Sequence, residues 1–122
     1  MRIALDTNIL VCAVAVNGLG KQDLILNLLA EIPPGDIVLP VQVLAEFYRA
    51  ITGKAGFSRA DGAILTQSWS RRHIVAGTHD HVLDRALDLS QRHQFTIWDS
   101  IIVAASVEAK CNVLLSEDLH HG

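Results

Sequence analysis

Ile3-Ala4-Leu5-Asp6-Thr7-Asn8 decides how the rest of the chain is read: an apolar triplet that stops at a carboxylate. Three consecutive apolar residues suit a strand buried on both faces, the kind found inside a parallel sheet. Asp6 then falls at the carboxyl edge of that sheet, where open α/β folds bind their ligands. A carboxylate there either caps the strand end, accepting from nearby backbone N–H groups, or belongs to a working site. Taken alone, the stretch favours the cap. The same logic returns near the end of the chain, where Val113-Leu114-Leu115 is followed by Ser116-Glu117-Asp118. Ile37-Val38-Leu39 reads as a second buried strand and His73 to Ala76 as a third, weaker one.

Helical patterns fill the intervals. Asn8 to Val16 starts a helix that Asn17-Gly18-Leu19-Gly20 should break. Lys21 to Ile32 sets Leu24, Leu28 and Ile32 on one side with Ile25 and Leu29 beside them, and Pro33-Pro34-Gly35 ends it. Pro40 suits a first helical turn, and Val43, Leu44, Phe47 and Ile51 supply a buried stripe beyond it. Glu46 lies close to that stripe. Ser58 with Asp61 predicts a capped helix through Ile64, Leu65, Ser68 and Trp69, and Thr78 predicts a cap for a helix through Val82 to Leu89. Phe95 to Ala105 predicts a core helix with Asp99 in its first turn, where the helix dipole tolerates negative charge. Strand and helix alternate, so a single α/β domain over residues 1–122 with a mainly parallel sheet is expected.

Composition narrows the class. Half of the 122 residues are hydrophobic and 19% are charged, which supports a packed core and argues against disorder. The net charge of −3 gives no global sign of a nucleic-acid binder. Locally, however, Arg49, Lys54, Arg59, Arg71 and Arg72 face only Asp61 between positions 49 and 72. That segment is either a solvated helix surface or a face that attracts phosphate. Cys12 and Cys111 match no metal spacing and read as buried thiols of a reducing compartment. The first apolar run is interrupted by Asp6 and Asn8 and is too short to span a bilayer, so a soluble, cytoplasmic protein with no membrane partner is expected.

In a right-handed α/β unit, strand ends and the helix starts that follow them share one rim. Asp6, Glu46, Asp99 and Asp118 can therefore converge there. Several acids on one edge are costly unless something positive sits between them. An oxygen-only set selects Mg²⁺ or Mn²⁺, and the histidines give no convincing alternative: His79 and His81 flank Asp80 without a third ligand. Asp84 and Asp88 have Arg85 and Arg92 beside them and read as exposed ion pairs.

Ile3-Ala4-Leu5-Asp6-Thr7-Asn8, Leu44-Ala45-Glu46-Phe47, Trp98 to Ala105 and Leu114-Leu115-Ser116-Glu117-Asp118 together resemble the successive motifs of PIN-domain nucleases. The nearest resemblance is to VapC-type toxins of prokaryotic toxin–antitoxin pairs. It implies a three-layer α/β/α fold and a Mg²⁺- or Mn²⁺-dependent endoribonuclease. It also implies an RNA substrate, a small DNA-binding antitoxin as partner, and a homodimer. Residue by residue, Asp6, Glu46 and Asp99 match the family's metal-site acids, and Asp118 matches the fourth. Thr7, Asn8 and Ser116 match polar residues that orient the carboxylates or the scissile phosphate, while Glu117 should point away. Relatives continue past the fourth motif into another edge strand. This chain ends at Gly122, so that strand is expected to be missing and the Asp118 loop to lack its downstream tether. Tyr48, Phe57 and Trp69 lie near the basic segment, where stacking on bases competes with core packing. Two other functions remain open from the residues: a silent RNA-binding module or a non-toxin nuclease of the same fold. A phosphoacceptor domain fits less well, because Lys110 is the one late lysine available.

Overall fold

The computed structural model describes residues 1–14, 19–53 and 55–116. Within them, four short strands form one parallel sheet: β1 (Ile3–Leu5), β2 (Ile37–Pro40), β3 (Ile74–Ala76) and β4 (Val113–Leu115), in the spatial order β3-β2-β1-β4. The helices are α1 (Thr7–Ala13), α2 (Leu19–Ala30), α3 (Val41–Gly53), α4 (Arg59–Arg72), α5 (Asp80–His93) and α6 (Ile97–Glu108). No described helix is long and apolar enough to cross a membrane.

The central strands explain why helices lie on both faces. Ile37 and Leu39 of β2 enter one core with Leu5, Val43, Phe47 and Ile51, while Val38 enters another with Ala76, Val82, Ala86 and Ala104. Alternate residues of one strand thus feed opposite layers, which is the period of two expected of a pleated backbone. Ala4, Leu5, Val38 and Leu39 are fully buried. The result is the three-layer α/β/α arrangement that the sequence suggests.

α3 is the best-specified helix. Val43, Leu44, Phe47 and Ile51 are all buried, as the i, i+3/i+4 spacing requires. Phe47 meets Trp69 of α4 edge to face, with ring centroids 6.3 Å apart. Gly62 allows α4 to approach α3, because a β-carbon there would come within 2.5 Å of Thr52 Cγ2. Ser58 caps α4 by accepting from the Asp61 N–H at 3.0 Å, as the Ser-x-x-Asp spacing predicts.

Several local expectations are corrected. Leu19 and Gly20 lie inside α2, not in a break before it. On that helix Ile25 is buried, whereas Leu24 and Leu28 face outward. The helix is apolar nearly all round, so periodicity gave no direction. Pro40 closes β2, paired with Ala76, instead of opening α3. The N-cap of α5 is His79, not Thr78. Arg92 pairs with Asp88, but Arg85 reaches across to Glu108 of α6 at 3.0 Å. Cys12 is buried but Cys111 only partly so; burial pushes the Cys111 thiol up, with Arg2 pulling the other way. Burial also lowers the pKa of His73, and Arg72 adds to that, against a raising contact with the Pro34 carbonyl.

Candidate active site

β1 and β4 run side by side in register, Leu5 against Leu115. The ladder continues one step further, since the Asp6 N–H donates to the Leu115 carbonyl at 2.9 Å. Asp6 and Ser116 therefore stand next to each other just past the strand ends. Ser116 Oγ donates to Asp6 Oδ2 at 2.7 Å, and the Thr7 N–H donates to Oδ1 at 2.7 Å. Asp6 is both cap and candidate site residue: it is the N-cap of α1 and only 7% exposed. A carboxylate this buried is tolerated because charge-assisted donors hold both oxygens.

The chain of contacts extends from Asp6 to α3. Thr7 Oγ1 donates to Glu46 Oε1 at 3.2 Å, and Gln42 Nε2 donates to Glu46 Oε2 at 2.7 Å. β1 lies against β2, and α3 begins directly after β2, so the sheet order brings Glu46 beside Thr7. Asp6, Thr7, Glu46 and Ser116 are thus brought together. Gln42 joins them unannounced: its spacing of four from Glu46 was the signal, since residues i and i+4 neighbour each other on a helix. Asn8 is half-buried in the first turn of α1.

Asp99 stands in the first turn of α6. The far end of α6 is pinned at the start of β1, where Arg2 Nη1 donates to the Ala109 carbonyl at 2.7 Å, the Arg2 N–H donates to Asn112 Oδ1 at 3.0 Å and the Asn112 N–H donates to the Arg2 carbonyl at 2.8 Å. A helix of 12 residues spans about 18 Å, so its first turn lies about that far from this anchored end. Thr96 caps that turn by accepting from the Asp99 N–H at 3.1 Å. The Asp99 carboxylate is half-buried and has no hydrogen-bond or ion-pair partner among the described residues. No three His, Cys, Asp or Glu side chains among the described residues form a group able to hold one ion. Asp6 and Glu46 instead engage the neutral donors of Thr7, Ser116 and Gln42, and Asp99 is not joined to them. Asp118 and Glu117 lie outside the described residues.

Ser100, next in sequence, is fully buried, and its hydroxyl has no partner among the described residues. A buried hydroxyl without a partner costs roughly 1–3 kcal/mol. Ser100→Ala is therefore expected to leave stability unchanged or to raise it by up to about 1 kcal/mol, measured by denaturant unfolding. A loss of similar size would show that the hydroxyl is satisfied in solution.

Of the basic segment, Arg49, Arg59 and Arg71 are exposed. Arg72 stacks over Trp69 at 5.2 Å and donates from Nε to the Ser68 carbonyl. Lys54 lies outside the described residues. Trp69 is buried, and Tyr48 and Phe57 are half-buried, so core packing claims the rings considered for stacking. Trp98, beside Asp99, is instead the exposed ring, at 58%. His79 and His81 are exposed, with ring centroids 5.7 Å apart, and His79 Nδ1 lies 3.9 Å from Asp80 Oδ1.

The fold recurs in solved structures of low sequence identity. VapC20 of Mycobacterium tuberculosis, described as a sarcin–ricin loop cleaving toxin, superposes with a TM-score of 0.75 at 18% identity, covering 95% of this chain and 91% of that one. A toxin–antitoxin complex from Klebsiella pneumoniae gives 0.72 at 15%, covering 93% and 84%. VapBC2 from Rickettsia felis, bound to a promoter DNA fragment, gives 0.66 at 14%, covering 94% and 86%. No curated protein matches the sequence significantly. The sequence profile of the PIN domain matches residues 3–121, nearly the whole chain, and the chain belongs to the PIN domain family.

Proposed function

We propose that the protein is a divalent-metal-dependent endoribonuclease and the toxin of a toxin–antitoxin pair. The observation that carries this reading is the hydrogen-bonded series Ser116–Asp6–Thr7–Glu46, which fixes two acids from separate elements at the carboxyl rim of a PIN fold. The donor chemistry fits Mg²⁺ or Mn²⁺, since every acid offered is a hard oxygen ligand. Asp6, Glu46, Asp99 and Asp118 would hold the ion. When bound, it would lower the pKa of a water and offset charge building on the phosphate. The protein's own part is orientation: Ser116 and the Thr7 N–H hold the Asp6 carboxylate in one plane, and Thr7 ties Glu46 to it. Asp99 brings an unengaged carboxylate at the head of α6. Arg49, Arg59, Arg71 and Arg72, with Lys54, supply positive charge for the RNA backbone, and Trp98 supplies a ring on which a base can stack. A small DNA-binding antitoxin completes the proposed assembly, by analogy with the toxin–antitoxin complexes of the same fold, and a second copy of the chain is proposed beside it.

A silent RNA-binding module is the second reading: the exposed Arg49, Arg59 and Arg71 can hold RNA without cutting it. Incubating the purified protein with end-labelled structured RNA in Mn²⁺, Mg²⁺ or EDTA separates the two. Cleavage with metal and none with EDTA is expected. RNA that is bound but uncut under all three conditions would overturn the nuclease.

A further inference from the structure

We infer that Gln42 is a positioning residue: its side-chain amide sets the orientation in which Glu46 meets a divalent cation. The inference rests on the nuclease reading above and adds to it a residue that is neither an acid nor one of the proposed ligands.

Glu46 is held from two directions. Gln42 donates to Oε2 from the preceding turn of the same helix at 2.7 Å, and Thr7 donates to Oε1 from α1 at 3.2 Å. An ionised carboxylate only accepts, so the amide must present its NH₂ to Glu46 and its oxygen elsewhere. Gln42 lies one residue before the buried stripe that starts at Val43, is half-exposed, and makes no other side-chain hydrogen bond among the described residues. Core packing therefore does not account for it. A glutamate on a helix surface has several rotamers, and freezing them at the moment of binding weakens affinity. Two donors, one on each oxygen, remove that freedom beforehand. Each donor takes one lone pair and leaves others directed at the rim. Both donors are neutral, so the charge that attracts the cation is retained. Second-layer contacts of this kind are typically worth about tenfold or more in metal affinity.

The test uses Gln42→Met, which keeps length and helix propensity and removes the donor. Mn²⁺ uptake by the metal-free protein, followed by the electron paramagnetic resonance of free Mn²⁺, should weaken about tenfold, with an unchanged melting temperature. In a Glu46→Gln background the same substitution should change Mn²⁺ affinity no further, because its effect runs through Glu46. Equal affinity in Gln42→Met and the parent protein would overturn the inference while leaving the nuclease standing. So would an equal loss in both backgrounds, which would mark a general structural defect. A parent protein that takes up no Mn²⁺ and cuts no RNA overturns the nuclease reading and this inference with it.

Discussion

Asp6→Asn is expected to reduce metal-dependent RNA cleavage by roughly a hundredfold or more while leaving the protein folded. Asp6 Oδ1 accepts from the Thr7 N–H, and an asparagine carbonyl can take that bond over. Oδ2 accepts from Ser116 Oγ, where asparagine would place an NH₂. A serine hydroxyl rotates and accepts as readily as it donates, so that contact survives with its direction reversed. The backbone bond to Leu115 is untouched. What the substitution removes is one negative charge at a site only 7% exposed. Losing a buried charge also removes its desolvation cost, so thermal stability should stay within about 1 kcal/mol of the parent or rise. The pairing of a large activity loss with an intact melting curve is the signature of a charge used for chemistry. Measuring Mn²⁺-dependent turnover and melting on the same preparation tests both halves. Undiminished turnover would remove Asp6 from the mechanism, and a large drop in melting temperature would make it chiefly a cap.

The same residue shows how far sequence can be read. The triplet before Asp6 was legible because a strand buried on both faces leaves no room for a polar residue until it ends. The triplet before Ser116 reads the same way, yet β4 is an edge strand of the described sheet, with Val113 40% exposed and Leu114 and Leu115 half-buried. α3 was legible because its apolar stripe has one direction. α2 was not: with Leu24, Ile25, Leu26, Leu28 and Leu29 around the helix, nothing in the order of residues chooses a side, and packing against α1 chose Ile25. The site divides in a similar way. Ser116 beside Asp6 follows from two strand ends in register. The contact of Thr7 with Glu46 depends on β2 lying next to β1, which no local pattern specifies. Gln42 was passed over because an amide in a first helical turn looks like ordinary solvated surface until its neighbour one turn on is known to be engaged. The burial of Trp69 and the exposure of Trp98 have a related cause. Aromatic rings near basic residues suggest stacking, but the phase of α4 turns Trp69 inward against Phe47, while that of α6 leaves Trp98 outside.

Phe47→Ala should be the most destabilising single truncation of the first core, costing about 3–5 kcal/mol. Phe47 is fully buried and is among the largest side chains in that state. Removing its ring deletes the contacts with its neighbours and leaves a cavity that the surrounding structure can fill only partly. The edge-to-face contact with Trp69 adds about 0.5–1.5 kcal/mol beyond the area buried. Against a total stability of about 5–15 kcal/mol for a domain, the variant would lose a large share, with a melting temperature lower by on the order of 10–20 °C. The loss bears on the site, because Phe47 is the residue after Glu46. The ring anchors α3 against α1 and α4 and so sets where Glu46 meets Thr7. Phe47→Leu, which refills part of the volume, should recover about half the loss and keep Mn²⁺ affinity near the parent value. Urea unfolding of both variants, with the slope checked for constancy, gives the energies directly. A cost below about 1 kcal/mol for the alanine variant would mean that α3 is held chiefly by contacts other than this ring. The position of Glu46 would then have to be explained by its hydrogen bonds alone.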